Sequence, residues 1–287
     1  MHRYLSCLFI VILIFTPITV DSSVKQHMEV HFIDVGQGDS ILIETPEDKT
    51  ILIDGGPPES EKKLISYLKE NDVKQIDLLS ATHPDYDHIG GLVKVMKTFK
   101  VKQILDSGKI HLTKAFANYV NEIRKQEIPT TIAKFNQQIK IDPRIDIKVL
   151  NAHRKEYNNN ESSIALMVTY NEIDFLLASD IEMKQEERIM EKENIEADIL
   201  KVAHHGSDSS TSFPFLYDVD PEVAILTYSE DNDFGHPVER VIENLDRIDA
   251  LVYSTAVYGD IVITTNGKDY LVLPDKDPRN NMFHQSA

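Results

Sequence analysis

Short apolar runs separated by turn residues open the chain after Val30: 31–35, 40–44 and 50–53 all come before any long helical period. Such closely spaced runs predict strands in an antiparallel start. Over 57–71 the period changes. Leu64, Ile65, Tyr67 and Leu68 form an apolar face, and Lys62, Lys63, Lys69 and Glu70 a wet one, which predicts a helix. Strand and helix then alternate, with strands expected at 76–81 and 101–105, helices at 90–99 and 113–126, and further short strands within 128–150. After the hydrophilic stretch 151–163, two β-rich runs at 164–170 and 175–178 flank Asn171-Glu172 as a hairpin. The second half repeats the alternation: helix 183–192, strands 199–203 and 223–227, helix 237–248, strand 251–254, and a last hairpin closed by Asn266-Gly267. Two β-rich starts, each followed by mixed strand and helix, predict an α/β fold of four layers, an αββα sandwich with two sheets face to face and helices outside. No linker or repeat divides it, so one domain is expected over 24–273, with a polar tail at 274–287.

The first 23 residues follow another pattern. Arg3 precedes an apolar run ending near Phe15, then Thr16, Pro17 and the polar Asp21-Ser22-Ser23. This predicts a secretory signal peptide over 1–23 and a secreted or extracytoplasmic protein, with an uncleaved N-terminal anchor as the alternative. The run is shorter than the roughly 20 residues that span a bilayer as a helix, and no later stretch is long enough either. Cys7 is the only cysteine among 287 residues, so no disulfide framework or cysteine metal cluster can form within one chain. The net charge of -17 argues against a polyanionic partner, but its distribution weakens that argument. Between Lys94 and Lys155 there are 14 Lys or Arg against 5 Asp or Glu, a basic middle on an acidic body.

The candidate chemistry is concentrated after the strand expected at 76–81, where the chain reads Thr82-His83-Pro84-Asp85-Tyr86-Asp87-His88-Ile89-Gly90-Gly91. Four potential metal ligands fall within six residues. A tight loop with this alternation can turn His83 and Asp85 toward one cation and Asp87 and His88 toward a second, with imidazoles favouring zinc, manganese or iron over calcium. Three later strand ends carry compatible residues. Asp180 follows 175–178 and is placed to bridge two cations. His204 and His205 end 199–203, and because neighbours on a strand face opposite ways, one of the pair is expected to bind metal and the other to orient it or the substrate. His236, before Pro237, is a candidate for the substrate's leaving group or phosphate. His31, His111 and His153 lie outside any ligand spacing and are not expected to bind metal. The glycines of Gly36-Gln37-Gly38 precede a strand rather than a helix, which excludes a dinucleotide-binding loop.

These motifs resemble the metallo-β-lactamase superfamily over about residues 29–267. His31-Phe32-Ile33-Asp34-Val35-Gly36-Gln37-Gly38-Asp39-Ser40, Ile51-Leu52-Ile53-Asp54-Gly55-Gly56, the HxDxDHxGG loop, His204-His205-Gly206-Ser207 and Gly235-His236-Pro237 are similar to the extracytoplasmic hydrolase domain of bacterial DNA-uptake (ComEC-type) competence proteins. The resemblance implies that Asp54 supports the loop from behind. It also implies that His83 and Asp85 hold a first divalent metal ion and Asp87 and His88 a second, that Asp180 bridges them, and that His204 completes the second site, with His205 as the fallback. The usual loop is HxHxDH, and Asp85 replaces its second histidine. The intermediate histidine is also absent, its region reading Asn158-Asn159-Asn160-Glu161-Ser162-Ser163. An oxygen-richer first site favours manganese over zinc.

Together these features predict a secreted metal-dependent hydrolase, a phosphodiesterase or nuclease in which two zinc or manganese ions activate a water and Asp87, His205 and His236 act at the reacting centre. Its substrate would be a phosphodiester, DNA first, steered by the basic stretch that begins at Lys94 and Lys97. Two rivals are a cell-wall phosphorylcholine esterase, with Tyr86 and Phe234 walling a quaternary ammonium, and a non-catalytic DNA- or surface-binding module on the same scaffold.

Overall fold

The computed structural model describes residues 27–277. The expected signal peptide at 1–23 and the tail beyond 277 lie outside the described residues. The first half contains β1 (Met28–Phe32), β2 (Ile41–Glu44), β3 (Thr50–Ile53), α1 (Glu61–Glu70), β4 (Gln75–Ile76), β5 (Leu78–Ala81) and α2 (Tyr86–Ile89). It continues with α3 (Leu92–Thr98), β6 (Lys100–Val101), β7 (Ile104–Asp106), α4 (Lys114–Gln126) and β8 (Thr130–Ile132). In the second half come β9 (Gln138–Ile139), β10 (Asp146–Asn151), β11 (Ala165–Tyr170), β12 (Ile173–Leu177), α5 (Met183–Met190) and β13 (Ile199–Lys201). There follow α6 (Phe213–Val219), β14 (Val223–Leu226), α7 (Glu239–Asp246), β15 (Leu251–Ser254), α8 (Thr255–Tyr258), β16 (Ile261–Thr265) and β17 (Tyr270–Pro274).

Two large sheets result, ordered β17-β16-β1-β2-β3-β5-β7-β8 and β15-β14-β13-β12-β11-β10-β9. Strand alternation explains the layering, because each strand sends successive side chains to opposite faces. Val30, Ile43 and Ile51 of the first sheet meet Ile147, Val168 and Phe175 of the second in a central core. On their other faces Leu42 and Leu52 pack against Leu64 of α1 and Val95 of α3. Leu176 and Leu200 likewise pack against Phe215 of α6 and Val241 of α7. Three apolar layers separating helix, sheet, sheet and helix make the αββα sandwich.

Each sheet has an antiparallel part and a parallel part. β3, β5, β7 and β8 run parallel in one, and β12, β13, β14 and β15 in the other. Loops leaving the carboxyl ends of parallel strands share one edge of a sheet, the usual place for a site in such architectures. The helix expected at 90–99 is α3, and an additional short helix, α2, precedes it; Gly90 and Gly91 end the one and start the other. Helix α6 is not apparent in the sequence, where Pro214 reads as a breaker. It occupies the first turn, where its missing N–H costs nothing, and the Ser212 hydroxyl caps the helix by accepting from Phe215 N. The strand expected at 199–203 stops at Lys201, and 203–206 form a 3-10 turn in which His204 and His205 have φ of 50° and 55°. The opposite-face argument for the two histidines therefore does not apply. Turn geometry, rather than strand alternation, aims their rings.

Candidate metal centre

Glycine lets the site-bearing loops interlock. A Cβ on Gly38 would stand 2.2 Å from the Asp87 carbonyl oxygen, and one on Gly91 2.2 Å from that of Gly55, so any larger residue would push the loops apart. Backbone bonds tie the same loops: Gly55 N donates to His88 O at 2.7 Å and Gly56 N to Asp39 O at 2.8 Å.

Asp54, fully buried beyond β3, lies behind the ligand loop. Its Oδ1 accepts from Thr82 N at 2.9 Å, and its Oδ2 accepts from Thr82 Oγ1 at 2.6 Å and from His88 Nδ1 at 2.8 Å. With its proton given to Asp54, Thr82 Oγ1 can only accept from His83 Nδ1, 3.2 Å away. The Nδ1 proton of His205 goes to the Thr227 carbonyl at 2.7 Å. In their neutral forms all three rings therefore carry hydrogen on Nδ1 and present a bare Nε2 lone pair, the form in which an imidazole binds metal. Those Nε2 atoms are buried without a hydrogen-bond partner, as is Asp180 Oδ1.

They converge on one carboxylate. Asp180 Oδ2 is 3.3 Å from His88 Nε2, 3.5 Å from His205 Nε2 and 3.9 Å from His83 Nε2. Asp87 Oδ2 lies 3.9 Å from His88 Nε2 and 3.7 Å from His205 Nε2, and Asp85 Oδ2 is 3.5 Å from His83 Nε2. Two donors each about 2.1 Å from one tetrahedral ion stand about 3.4 Å apart. The two overlapping sets, His83/His88/Asp180 and Asp87/His88/His205, thus have the donor types and spacings that divalent metal ions require. Although burial opposes its charge, His88 and His205 hold the Asp180 carboxyl well below the usual carboxylate range. Asp180 and Asp54 in turn raise His88 well above the ordinary imidazole value, against the effect of burial.

His204 is placed differently from its neighbour. Its Nε2, 3.8 Å from Asp180 Oδ2, accepts a bond from Asn160 Nδ2 at 3.2 Å, which leaves Nδ1 to donate to Ser209 Oγ at 3.1 Å. Burial pushes it down to about 4 despite Asp180, helped by the fields of His205, His236 and His83. The resemblance gave the second-site position to His204. Its lone pair is already engaged, whereas that of His205 is bare and faces both Asp87 and Asp180. His236 stands beyond, its ring 5.7 Å from that of His204 and stacked on Phe234, with its Nδ1 buried and unpartnered. Burial and then His205 lower its affinity for a proton.

Several residues around the cluster carry no signal in the ligand spacing. Lys201, wholly buried at the end of β13, stands 2.6 Å from Asp39 Oδ2, and Asp39 Oδ1 accepts from Thr227 Oγ1 at 2.5 Å and lies 3.6 Å from His205 Nδ1. The only hint is a lysine ending an otherwise apolar strand. At the other side Asn159 Nδ2 donates to Asp85 Oδ1 at 2.5 Å and to His111 Nδ1 at 3.3 Å, which brings His111 Nε2 to 4.0 Å from Asp85. Lys97, expected to steer substrate, is engaged by Glu122 of α4 at 3.8 Å. A different set of cations surrounds Tyr157, just before Asn159: Lys184 and Arg188 pack over its ring and Lys109 donates to its carbonyl.

A match to the metallo-beta-lactamase superfamily covers residues 33–228. The chain belongs to that superfamily. ComE operon protein 3 of Bacillus subtilis is 30% identical over 257 residues, covering 81% of this chain and 32% of the relative. Competence protein ComA of Neisseria gonorrhoeae is 28% identical over 211 residues, covering 72% of this chain and 28% of that protein. The chain therefore spans less than a third of the length of these curated relatives. Among solved structures, the metallo-beta-lactamase fold protein YhfI of Bacillus subtilis aligns with a TM-score of 0.55 at 14% identity, covering 83% of this chain and 99% of that one, a likeness of fold. Proteins of this superfamily are typically metallo-hydrolases that use divalent metal ions. Among the described residues no helix is long and apolar enough to cross a membrane.

Proposed function

We propose that this chain is a metal-dependent phosphodiesterase acting on nucleic acid, with DNA its first substrate, and that it works outside the cytoplasm. The observation that carries the proposal is the convergence of three bare imidazole Nε2 atoms on the shared Asp180 carboxylate. In this assignment His83 and Asp85 hold a first ion, Asp87, His88 and His205 a second, and Asp180 both. Bound there, two divalent ions would lower the pKa of a water and neutralise the charge of a phosphodiester. The protein's own groups do the rest. Asp54, Thr82 and Thr227 fix the imidazole tautomers, Asp39 and Lys201 brace the His205 turn, Asn160 and Ser209 hold His204 beside the cluster, and His236 offers a ring N–H to the phosphate or leaving oxygen. Lys109, Lys184 and Arg188, gathered around the buried Tyr157, supply cations that a single-stranded polyanion favours. The competence relative supports nucleic acid over a wall ester.

The test strips the purified protein of metal and reloads it with zinc or manganese. It is then given bis-p-nitrophenyl phosphate, linear and circular DNA, and p-nitrophenyl phosphorylcholine. DNA cleavage that vanishes in Asp180→Ala supports the proposal. Turnover of the choline ester alone would move the substrate to a wall phosphate, and no turnover with any metal would leave a binding module.

A further inference from the structure

β1 and β2 carry another gathering of ligand-type side chains, which spacing alone did not reveal. The antiparallel register sets Glu29 directly opposite Glu44. His31 lies two residues along β1 from Glu29, so strand alternation puts all three on one face. Like charges directly opposite each other in a sheet repel, and here an imidazole stands between them: His31 Nε2 is 3.7 Å from Glu29 Oε2 and 3.8 Å from Glu44 Oε2. The His31 side chain is 2% exposed, and its Nε2 has no hydrogen-bond partner. Its Nδ1 is hydrogen-bonded at 2.8 Å to the Tyr67 hydroxyl of α1, which orients the ring; with the proton on Nδ1 and the hydroxyl accepting, the Nε2 lone pair faces both carboxylates. Both carboxylates are partly exposed, so an ion can reach them and they can adjust. One ligand atom from each residue lies within 4.8 Å of the others. After burial, the fields of Asp260, Glu44, Asp275 and Glu29 all act to keep the proton on Tyr67, so negative potential converges at this place.

We propose that Glu29, His31 and Glu44 form a second metal site, for a divalent transition ion of the zinc or manganese type, separate from the catalytic cluster. One imidazole and two carboxylates suit those ions better than calcium, which takes oxygen donors alone. The two histidine–glutamate separations exceed the tetrahedral spacing of about 3.4 Å by only a few tenths, within the reach of a glutamate rotation. An ion here would tie β1 to β2 and, through Tyr67, to α1, so its role is to stabilise this half of the sandwich. The rival is an imidazolium shared by two carboxylates, which needs no metal.

The full chain, loaded with zinc or manganese and dialysed, is compared with His31→Gln and with the pair Glu29→Gln/Glu44→Gln by elemental mass spectrometry. Each variant is expected to hold one ion fewer per chain at unchanged hydrolytic activity. In a His88→Ala/Asp180→Ala background, zinc is expected to raise the melting temperature, and His31→Gln to abolish that rise. Equal metal content in wild type and variants, or the same zinc-dependent rise with and without His31, overturns the site. The glutamate pair is partly exposed, so it decides the matter if His31→Gln fails to fold. Metal content is read whether or not the chain is active, so failure here is distinguishable from failure of the phosphodiesterase reading.

Discussion

Around Asp87, His88 and His205 each imidazole is braced by a buried partner, whereas around His83, Asp85 and His204 much of the bracing comes from the amides of Asn159 and Asn160 and from the half-exposed His111. The first arrangement is anchored by Asp54 beneath the ligand loop and by the Asp39–Lys201 pair beneath the His205 turn. In the second an aspartate and two asparagines occupy the region where the superfamily pattern supplies imidazoles. Rigid bracing lowers the cost of assembling ligands around an ion, and amides add hydrogen bonds without strong donor atoms. One half of the centre is therefore expected to hold its ion firmly and the other to exchange it.

The comparison breaks most completely where the halves meet. Asp180→Ala removes the carboxylate shared by both halves. At 1.36 kcal/mol per tenfold, the several kcal/mol of charge stabilisation that metals supply corresponds to a loss of about 10³-fold or more in phosphodiesterase turnover. Single-turnover assays with reloaded metal check this. Next come the braces: Asp54→Asn is expected to lower metal affinity or activity by about 10–100-fold, read from metal content and rate together. Lys201→Met leaves Asp39 buried without its cation. It should destabilise the fold by about 3–5 kcal/mol in urea denaturation, and adding Asp39→Asn should recover part of that loss.

A smaller change sharpens the contrast. Asp85→His restores an imidazole to the weaker half, whose zinc affinity should rise by about tenfold, so that zinc retained against a mild chelator moves from near one ion per chain toward two. Equal retention of both ions in the unmodified protein would remove the asymmetry. Smallest is Lys184→Ala beside Tyr157. Oligonucleotide affinity should fall only a few-fold, with the slope of log affinity against log salt reduced by about one. A slope that does not move would place the nucleic acid elsewhere.

Much of the fold was legible because strand and helix periods differ, and the apolar runs here are clean enough to separate them. The HxDxDH loop was legible through its density of ligand types, whereas the interlocking of the glycine-bearing loops emerged only in the structure. Lys201, Thr227 and Asn159 were not, since each is an ordinary residue until the fold places it beside an imidazole. The choice between His204 and His205 also lay beyond the sequence. Strand alternation was the only local rule available, and the chain leaves the strand two residues too early for it to apply.

By itself the sequence determined most of the strands and helices, and that four ligand-type residues share one loop, because periodicity and spacing are local properties of the chain. Only the tertiary structure decided which histidine nitrogens remain bare, since a tautomer depends on hydrogen-bond partners that can lie twenty or more positions away. It likewise decided that Glu29, His31 and Glu44 meet, because cross-strand register has no local signature.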